Sequence, residues 1–348
     1  MRPVMTQVPL RRLLSYLLGI IASLALFSII LLVFGYDPVA SIEGLASGSF
    51  GTTFLAAETL FLAGPLLLAA LAFVVAFRAR FYNIGVEGQL YIGALFGYLA
   101  AARLGGLPAE VAIPLLLLAA AAGGVVWLAL PIFMRIKFQV NEIFPTLVMN
   151  FIALDVVNWL TAGPLKDPLS GNLQTPTLPQ STWLPPLIQN TELNIGIIVA
   201  LAAAVAVYFV LNRTVLGFEI RATGSSPRAA RSGGVNVAKS ILAVGLMSGA
   251  LAGLAGILVV AGVDHVLAQN FSPGYGYQGI AVAALGSFHP LGSVISAALY
   301  AALSIGGESL QRSAQAVPIE LIYALQATIV LSVLVVQKWV DERTSRRR

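Results

Sequence analysis

Apolar runs of about one membrane thickness recur along this chain. A helix needs about 20 mostly apolar residues to cross a bilayer, and candidates lie near residues 13–34, 53–77, 81–101, 109–134, 142–162, 193–212, 240–262, 276–288, 291–307 and 318–337. Residues 276–288 are too few to cross alone as regular helix. With 58% hydrophobic and only 10% charged residues, the 348-residue chain has more apolar surface than a water-soluble core could hide. The expected class is all-α: a polytopic membrane protein, one membrane domain over 1–348, with about ten transmembrane helices.

The basic residues sort by side. With the amino end inside, the inner segments hold Arg2, Arg11 and Arg12, then Arg78 and Arg80, then Arg135 and Lys137, the basic residues of 213–239, and the tail 338–348. Only Arg103, Lys166 and Arg312 of the 20 fall outside, as the positive-inside rule requires. Both termini, the segment 1–12 and the tail 338–348, are therefore expected in the cytoplasm. The sorting accounts for the net charge of +5 without a nucleic-acid surface. The run 13–34 exceeds the about 7–15 residues of a signal-peptide core and has no clear small-residue cleavage site, so it is expected to be retained as a first span.

There is no cysteine, which removes disulfides, thiolate metal sites and cysteine nucleophiles. The two histidines, His265 and His289, are not spaced as a metal pair, and no metal or cofactor is expected. No phosphate-binding loop of the G-x-x-x-x-G-K-[ST] type and no nucleophile elbow occur, so the chain is not read as an enzyme. Uphill transport would draw on an ion gradient or another subunit.

Polar residues inside the spans mark where chemistry is possible. Along 81–97, Asn83, Glu87, Tyr91 and Tyr98 share one face if the segment is helical, with Gln89 nearby. An ionisable residue at such depth costs a few kcal/mol unless it faces protein or water. Either this face lines a translocation path, or Glu87 is satisfied near the interface by Arg78 or Arg80. In the fifth span Glu142, Thr146 and Asn150 recur every four residues beside a kink expected at Pro145, for a wet path or for bonds between helices. Residues 273–290 carry four glycines around Tyr275, Tyr277 and Gln278. Comparable Gly-broken stretches in each half point to two pseudo-symmetric inverted halves with short or broken helices, spans 2–5 mirrored by 7–10. Gly245, Gly249 and Gly253 form a stripe for close helix packing.

Two connecting segments stand apart. Residues 163–192, rich in Pro, Thr, Gln and Asn and carrying Trp183, read as an external cap or docking loop, or as a floppy connector. The basic inner segment 213–239 contains Gly-Ser-Ser-Pro-Arg-Ala-Ala-Arg-Ser-Gly-Gly at 224–234. Ser226 suits an N-cap, Pro227 the first helical position and Gly233 the left-handed stop. A helix this short needs packing, on a partner protein or on its own spans.

Residues 81–90 (Phe-Tyr-Asn-Ile-Gly-Val-Glu-Gly-Gln-Leu), 141–150, 221–237 (Arg-Ala-x-Gly-x-x-Pro-x-Ala-Ala-Arg-x-x-Gly-x-x-Val) and 248–257 resemble, in this order, the permease subunits of branched-chain amino acid, sugar and nucleoside ABC importers, closest to the nucleoside or simple-sugar subgroup. The chain departs from the family's Asn-Glu-Ile-hydroxyl pattern at Phe144 and Pro145. The resemblance implies an all-helical permease of a prokaryotic plasma membrane. Its implied partners are two cytoplasmic ABC ATPase domains, a second related permease or second copy, and an external solute-binding protein that docks on the outer loops. It implies an ATPase-coupling set of Glu219, Arg221, Ser226, Pro227, Arg228, Arg231 and Gly234. The path is assigned Asn83, Glu87, Gln89, Tyr91, Glu142, Asn150, Tyr277 and Gln278. Nucleosides are the first expected cargo, simple sugars the second and branched-chain amino acids the third. The rival is an ion-coupled secondary transporter using Glu58, Glu87 or Asp155. A membrane enzyme or a scaffolding subunit lies further off.

Overall fold

The computed structural model describes residues 10–313 and 316–345, with side chains from Leu18 onward and, at the end of the last helix, through Val336 and at Lys338. Residues 1–9 of the expected cytoplasmic segment and 346–348 of the tail thus lie outside the described residues. The described chain is helical: α1 Leu10–Val33, α2 Pro38–Phe50, α3 Thr53–Arg78, α4 Val86–Leu104, α5 Ala109–Phe138, α6 Ile143–Ala162, α7 Gly196–Arg213, α8 Val215–Ser225, α9 Pro227–Ser232, α10 Val237–Val259, α11 Tyr275–Leu285, α12 Pro290–Arg312 and α13 Ile319–Ser345. Among the described residues there is no strand, only isolated bridges between Gln174 and Ala268 and between Pro186 and Asn194. The protein is a polytopic, all-helical membrane protein.

Among the described residues seven helices are long and apolar enough to cross a membrane, eight if α1 and α2, bent by 120° at their junction, form one broken span. The sequence reading of ten also included α4 and α11. At 11 residues, α11 is too short to cross alone, and α4 gives its first turns to polar and glycine positions. Residues 38–50, which the hydropathy reading leaves unassigned, form α2: Asp37 accepts from Val39 N at 2.9 Å and Ala40 N at 3.3 Å, and Pro38 takes the first helical position.

Two other expectations need correction. The third span does not begin as helix at 81. Asn83 Oδ1 accepts from Gly85 N at 3.0 Å, an Asx turn that competes with the helix and delays it to Val86. Asn83 is therefore in a turn, not on the face of α4. Pro145 produces no kink, because α6 starts at Ile143 and proline in a first turn lacks only an N–H with no intrahelical acceptor. The short helix expected within 224–234 is α9, and α8 precedes it in segment 213–239.

The chain divides into two compact units, residues 60–298 and residues 1–59 with 299–348. In the larger unit α4, α5 and α10 pack on one another through glycine, as the stripe on α10 predicts. A Cβ on Gly253 would overlap the Ala120 carbonyl, one on Gly124 the Gly249 carbonyl and one on Gly256 the Leu90 carbonyl. Backbones approach closely there because nothing stands between them.

In the smaller unit α1 lies along α13, where Ser23 Oγ donates to Gly19 O at 2.7 Å and to Thr328 O at 3.3 Å. The polar atoms of α2 are also satisfied within this unit: Ser49 Oγ donates to Ala302 O at 2.6 Å and Ser49 O accepts from Thr59 Oγ1 at 3.0 Å. Gln326 on α13 donates to Ser304 on α12 at 2.9 Å.

Candidate functional site

The site is built where two helices begin inside the larger unit. Gly85 precedes α4 and Gly274, at φ +93°, precedes α11. Their first turns meet at Glu87, which is 3% exposed. Its Oε1 accepts from Ser272 Oγ at 2.6 Å and its Oε2 from Gly276 N at 2.6 Å. Two helix amino ends, each with unpaired N–H groups and a positive dipole end, thus converge on one carboxylate. Gly276 permits this, since a Cβ there would strike the Glu87 backbone. Ser272 Oγ also accepts from Gly274 N at 3.2 Å and Tyr275 N at 3.1 Å, so one hydroxyl opens α11 and holds Glu87. Tyr91 OH lies 3.4 Å from both Ser272 N and Ser272 O, and its ring packs 4.6 Å from that of Phe271.

Asn150, one face of α6, joins the same node. Its Oδ1 accepts from Gly88 N at 2.8 Å, while Nδ2 donates to Ile84 O at 2.8 Å and to Tyr277 OH at 3.0 Å. Beside it Asn83 and Gln89 exchange two amide bonds, at 3.0 and 2.9 Å. Asn83 Nδ2 also donates to Ser248 Oγ at 2.8 Å, and Ser248 donates to Ala72 O at 2.8 Å, which links α3, α4 and α10. Glu142, just ahead of α6, accepts from Tyr82 N at 2.9 Å and pairs with Arg135 Nε at 3.3 Å.

Of the eight residues assigned to a path, Asn83, Glu87, Gln89, Tyr91, Glu142 and Asn150 are buried and bonded to protein groups. Tyr277 is 40% exposed and Gln278 half-buried. Glu87 is satisfied by Ser272 and Gly276 from the distant Gly-broken stretch, not by Arg78 or Arg80. Sequence reasoning missed Ser272, Ser248 and Arg135. Ser272 had a signal, since Ser-Pro-Gly at 272–274 is turn chemistry ahead of a helix, whereas Ser248 lies within an apolar helix and gives none. Of the carboxylates assigned to an ion-coupled alternative, Asp155 is exposed on α6 and Glu58 lies in the smaller unit near Glu308 and Arg312.

In the inner segment Thr214 Oγ1 accepts from Gly217 N at 3.1 Å to open α8, and Ser226 Oγ accepts from Ala229 N at 3.3 Å to open α9. The left-handed stop falls one residue later than expected. Gly233 has φ −82° and Gly234 φ +85°, because Val235 N must reach Ala230 O, 2.9 Å, and Gly234 N Arg231 O, 3.0 Å. Arg228 and Arg231 are exposed, Glu219 and Arg221 partly buried.

The segment 163–192 is seated rather than floppy. Its residues 173–184 run antiparallel to residues 261–269, with Thr175 N donating to Leu267 O at 3.1 Å, Leu178 N to His265 O at 2.7 Å and Leu184 N to Ala261 O at 2.9 Å. Trp183 stacks on His265 at 3.7 Å between ring centres and 4° between planes.

Residues 55–334 match the family model described as branched-chain amino acid transport system / permease component. The chain is 36% identical over 327 residues to the guanosine ABC transporter permease protein NupP of Bacillus subtilis, covering 93% of each chain. It is 35% identical to the glucose ABC transporter permease protein TsgB13 of Haloferax volcanii, over 90% of this chain and 85% of that one. It is 30% identical to the nucleoside ABC transporter permease protein NupB of Lactococcus lactis, over 93% and 91%. No solved structure matches. A match across most of the chain, carried by a helical membrane fold, places this protein in the branched-chain amino acid transport system permease family, as a membrane transport component.

Proposed function

We propose that this chain is the transmembrane permease subunit of an ATP-driven ABC importer that carries nucleosides, with simple sugars as the second choice. The observation that carries the coupling half of this reading is α9. It is a six-residue helix with a serine cap and a closed glycine stop, of which only Ala230 is buried. A helix of under two turns is marginal in water, and Arg228 and Arg231 on its open side suit a partner with acidic groups. That partner is a cytoplasmic ABC ATPase, one of two, which hydrolyses the ATP. Glu219, Arg221, Ser226, Pro227 and Gly234 frame α9 as the coupling loop 213–239.

In this reading both termini, with the segment 1–12 and the tail 338–348, are cytoplasmic in a prokaryotic plasma membrane. The loop 163–192 faces outward and receives the solute-binding protein. A second permease completes the path; Bacillus subtilis has both NupP and a second guanosine ABC transporter permease protein, NupQ, 30% identical to this chain over 292 residues. Tyr277 and Gln278 offer the accessible polar groups of the path. Asn83, Glu87, Gln89, Tyr91, Glu142 and Asn150 hold the broken helices that present them. The nucleoside choice is supported by the likeness to NupP and NupB, and the sugar choice by that to TsgB13.

Two experiments test it. Arg228→Glu with Arg231→Glu is expected to abolish copurification with the ATPase while membrane insertion is kept, and unchanged copurification counts against the coupling role. Calorimetry of the cognate binding protein against nucleosides, sugars and leucine tests the cargo, and silence with nucleosides ends the first choice.

A further inference from the structure

At one end of the larger unit α8 meets the last turn of α3, and each helix carries an arginine there. Gly224, near the end of α8, lies against the Arg78 carbonyl so closely that a Cβ would overlap it. This contact docks α8 on the last turn of α3. It also brings the Arg221 guanidinium within repulsive range of that of Arg78. Arg78 Nη2 donates to Phe288 O at 2.8 Å. Arg221 is only partly buried, and its Nη1, on the covered side, has no hydrogen-bond partner. The ion pairs of Arg135 with Glu142 and of Arg312 with Glu308 lie elsewhere. A buried donor without an acceptor costs free energy, and two cations held together cost more. An anion shared between them removes both penalties.

The surroundings choose the anion. Arg78 is the last residue of a 26-residue apolar helix, which sets it at headgroup depth. On α8, Val215 and Phe218 are 75% and 60% exposed, and Arg221 is next in the same three-residue series along the helix surface. A short helix with an apolar outer edge beside a cation is built to lie in the membrane interface. A guanidinium also matches phosphate oxygens in a fork. Arg228 and Arg231, fully outward on α9, lack that apolar edge.

We propose that Arg221 and Arg78 bind the phosphate of an anionic phospholipid in the leaflet next to α8, with Val215 and Phe218 against its acyl chains. This separates Arg221 from the outward arginines of the coupling loop. It depends on the proposed function only for naming that leaflet cytoplasmic.

The test uses the full chain with its ATPase, purified in detergent. Retained lipid is counted by native mass spectrometry, and delipidated protein is titrated with phosphatidylglycerol, phosphatidylcholine or inorganic phosphate. Wild type is expected to prefer phosphatidylglycerol. Arg221→Gln is expected to bind it about tenfold more weakly, the loss of one charge-assisted bond, with Arg221→Lys between. Equal affinity in wild type and Arg221→Gln overturns the proposal. So does inorganic phosphate competing at equal concentration, or loss of the ATPase with lipid unchanged. Wild type alone gives a readout independent of variant folding: equal retention of the two lipids also overturns it.

Discussion

The Glu87 carboxylate accepts its hydrogen bond from the backbone of Gly276, 189 residues further along the chain, at 2.6 Å. The start of α11 is therefore fastened to the start of α4 by one side chain, with Ser272 on its other oxygen. Glu87→Ala leaves both donors buried without an acceptor and is expected to cost about 2–4 kcal/mol of stability. Thermal unfolding in detergent measures this, and a variant as stable as wild type would show the fastening to be dispensable.

Asn150 and Tyr277 separate the node from its accessible edge. Asn150→Leu removes three bonds, including those to Gly88 N and Ile84 O, and is expected to destabilise the protein by about 2–4 kcal/mol. Tyr277→Phe removes only the bond between Asn150 and the phenol, at about 1 kcal/mol or less. Matched unfolding curves for the pair decide this; equal losses would refute the ranking.

Two glycines on α10 should respond differently to one added methyl. At Gly253 the new Cβ overlaps the Ala120 carbonyl, which is backbone, while at Gly245 it meets the tip of the Ile132 side chain, which can rotate away. Gly253→Ala is expected to lower the yield of folded protein severely, and Gly245→Ala to cost about 1–2 kcal/mol. Size-exclusion profiles of the two variants side by side supply the comparison.

The caps of α9 carry their own cost. Ser226→Ala is expected to lose about 1 kcal/mol of local helix stability, and Gly234→Ala about the same, since φ +85° disfavours a side chain. Hydrogen exchange of residues 227–233 should quicken in both, and unchanged protection would mean that α9 is held from elsewhere.

His265, beneath Trp183, is predicted to make the seat of the outer loop acid-sensitive. Burial holds its imidazole below the ordinary value of about 6.5, outweighing the Ala261 carbonyl. The folded form then binds fewer protons than the unfolded form between the lowered value and about 6.5. Stability from this group is full above that window, falls as pH drops through it and is level below. Exchange protection of residues 173–184 should weaken on acidification, and His265→Phe should remove the dependence. A pH response surviving that substitution would assign it to another group.

Much of the fold was legible because lipid enforces simple rules. Apolar length located the long helices, and the α10 glycine stripe announced its packing. What escaped was governed by side chains that compete with the backbone. Asn83 makes an Asx turn where hydropathy reads helix, and Asp37 caps α2 where hydropathy reads nothing. The polar residues of the node were found one by one, but their partners were not. The bonds from Glu87 to Gly276 and from Asn83 to Ser248 span 189 and 165 residues, and no local pattern encodes such a pairing.

Where α10 crosses α4 and α5 at Gly253, Gly256 and Gly124, backbone lies against backbone. Helices slide past one another by trading one set of side-chain contacts for the next, and backbone seated on backbone has none to trade. The three helices should therefore turn as one body, with displacement confined to the loops that join them to their neighbours. Spin labels at the ends of α5 and α10 would then keep one separation through a transport cycle.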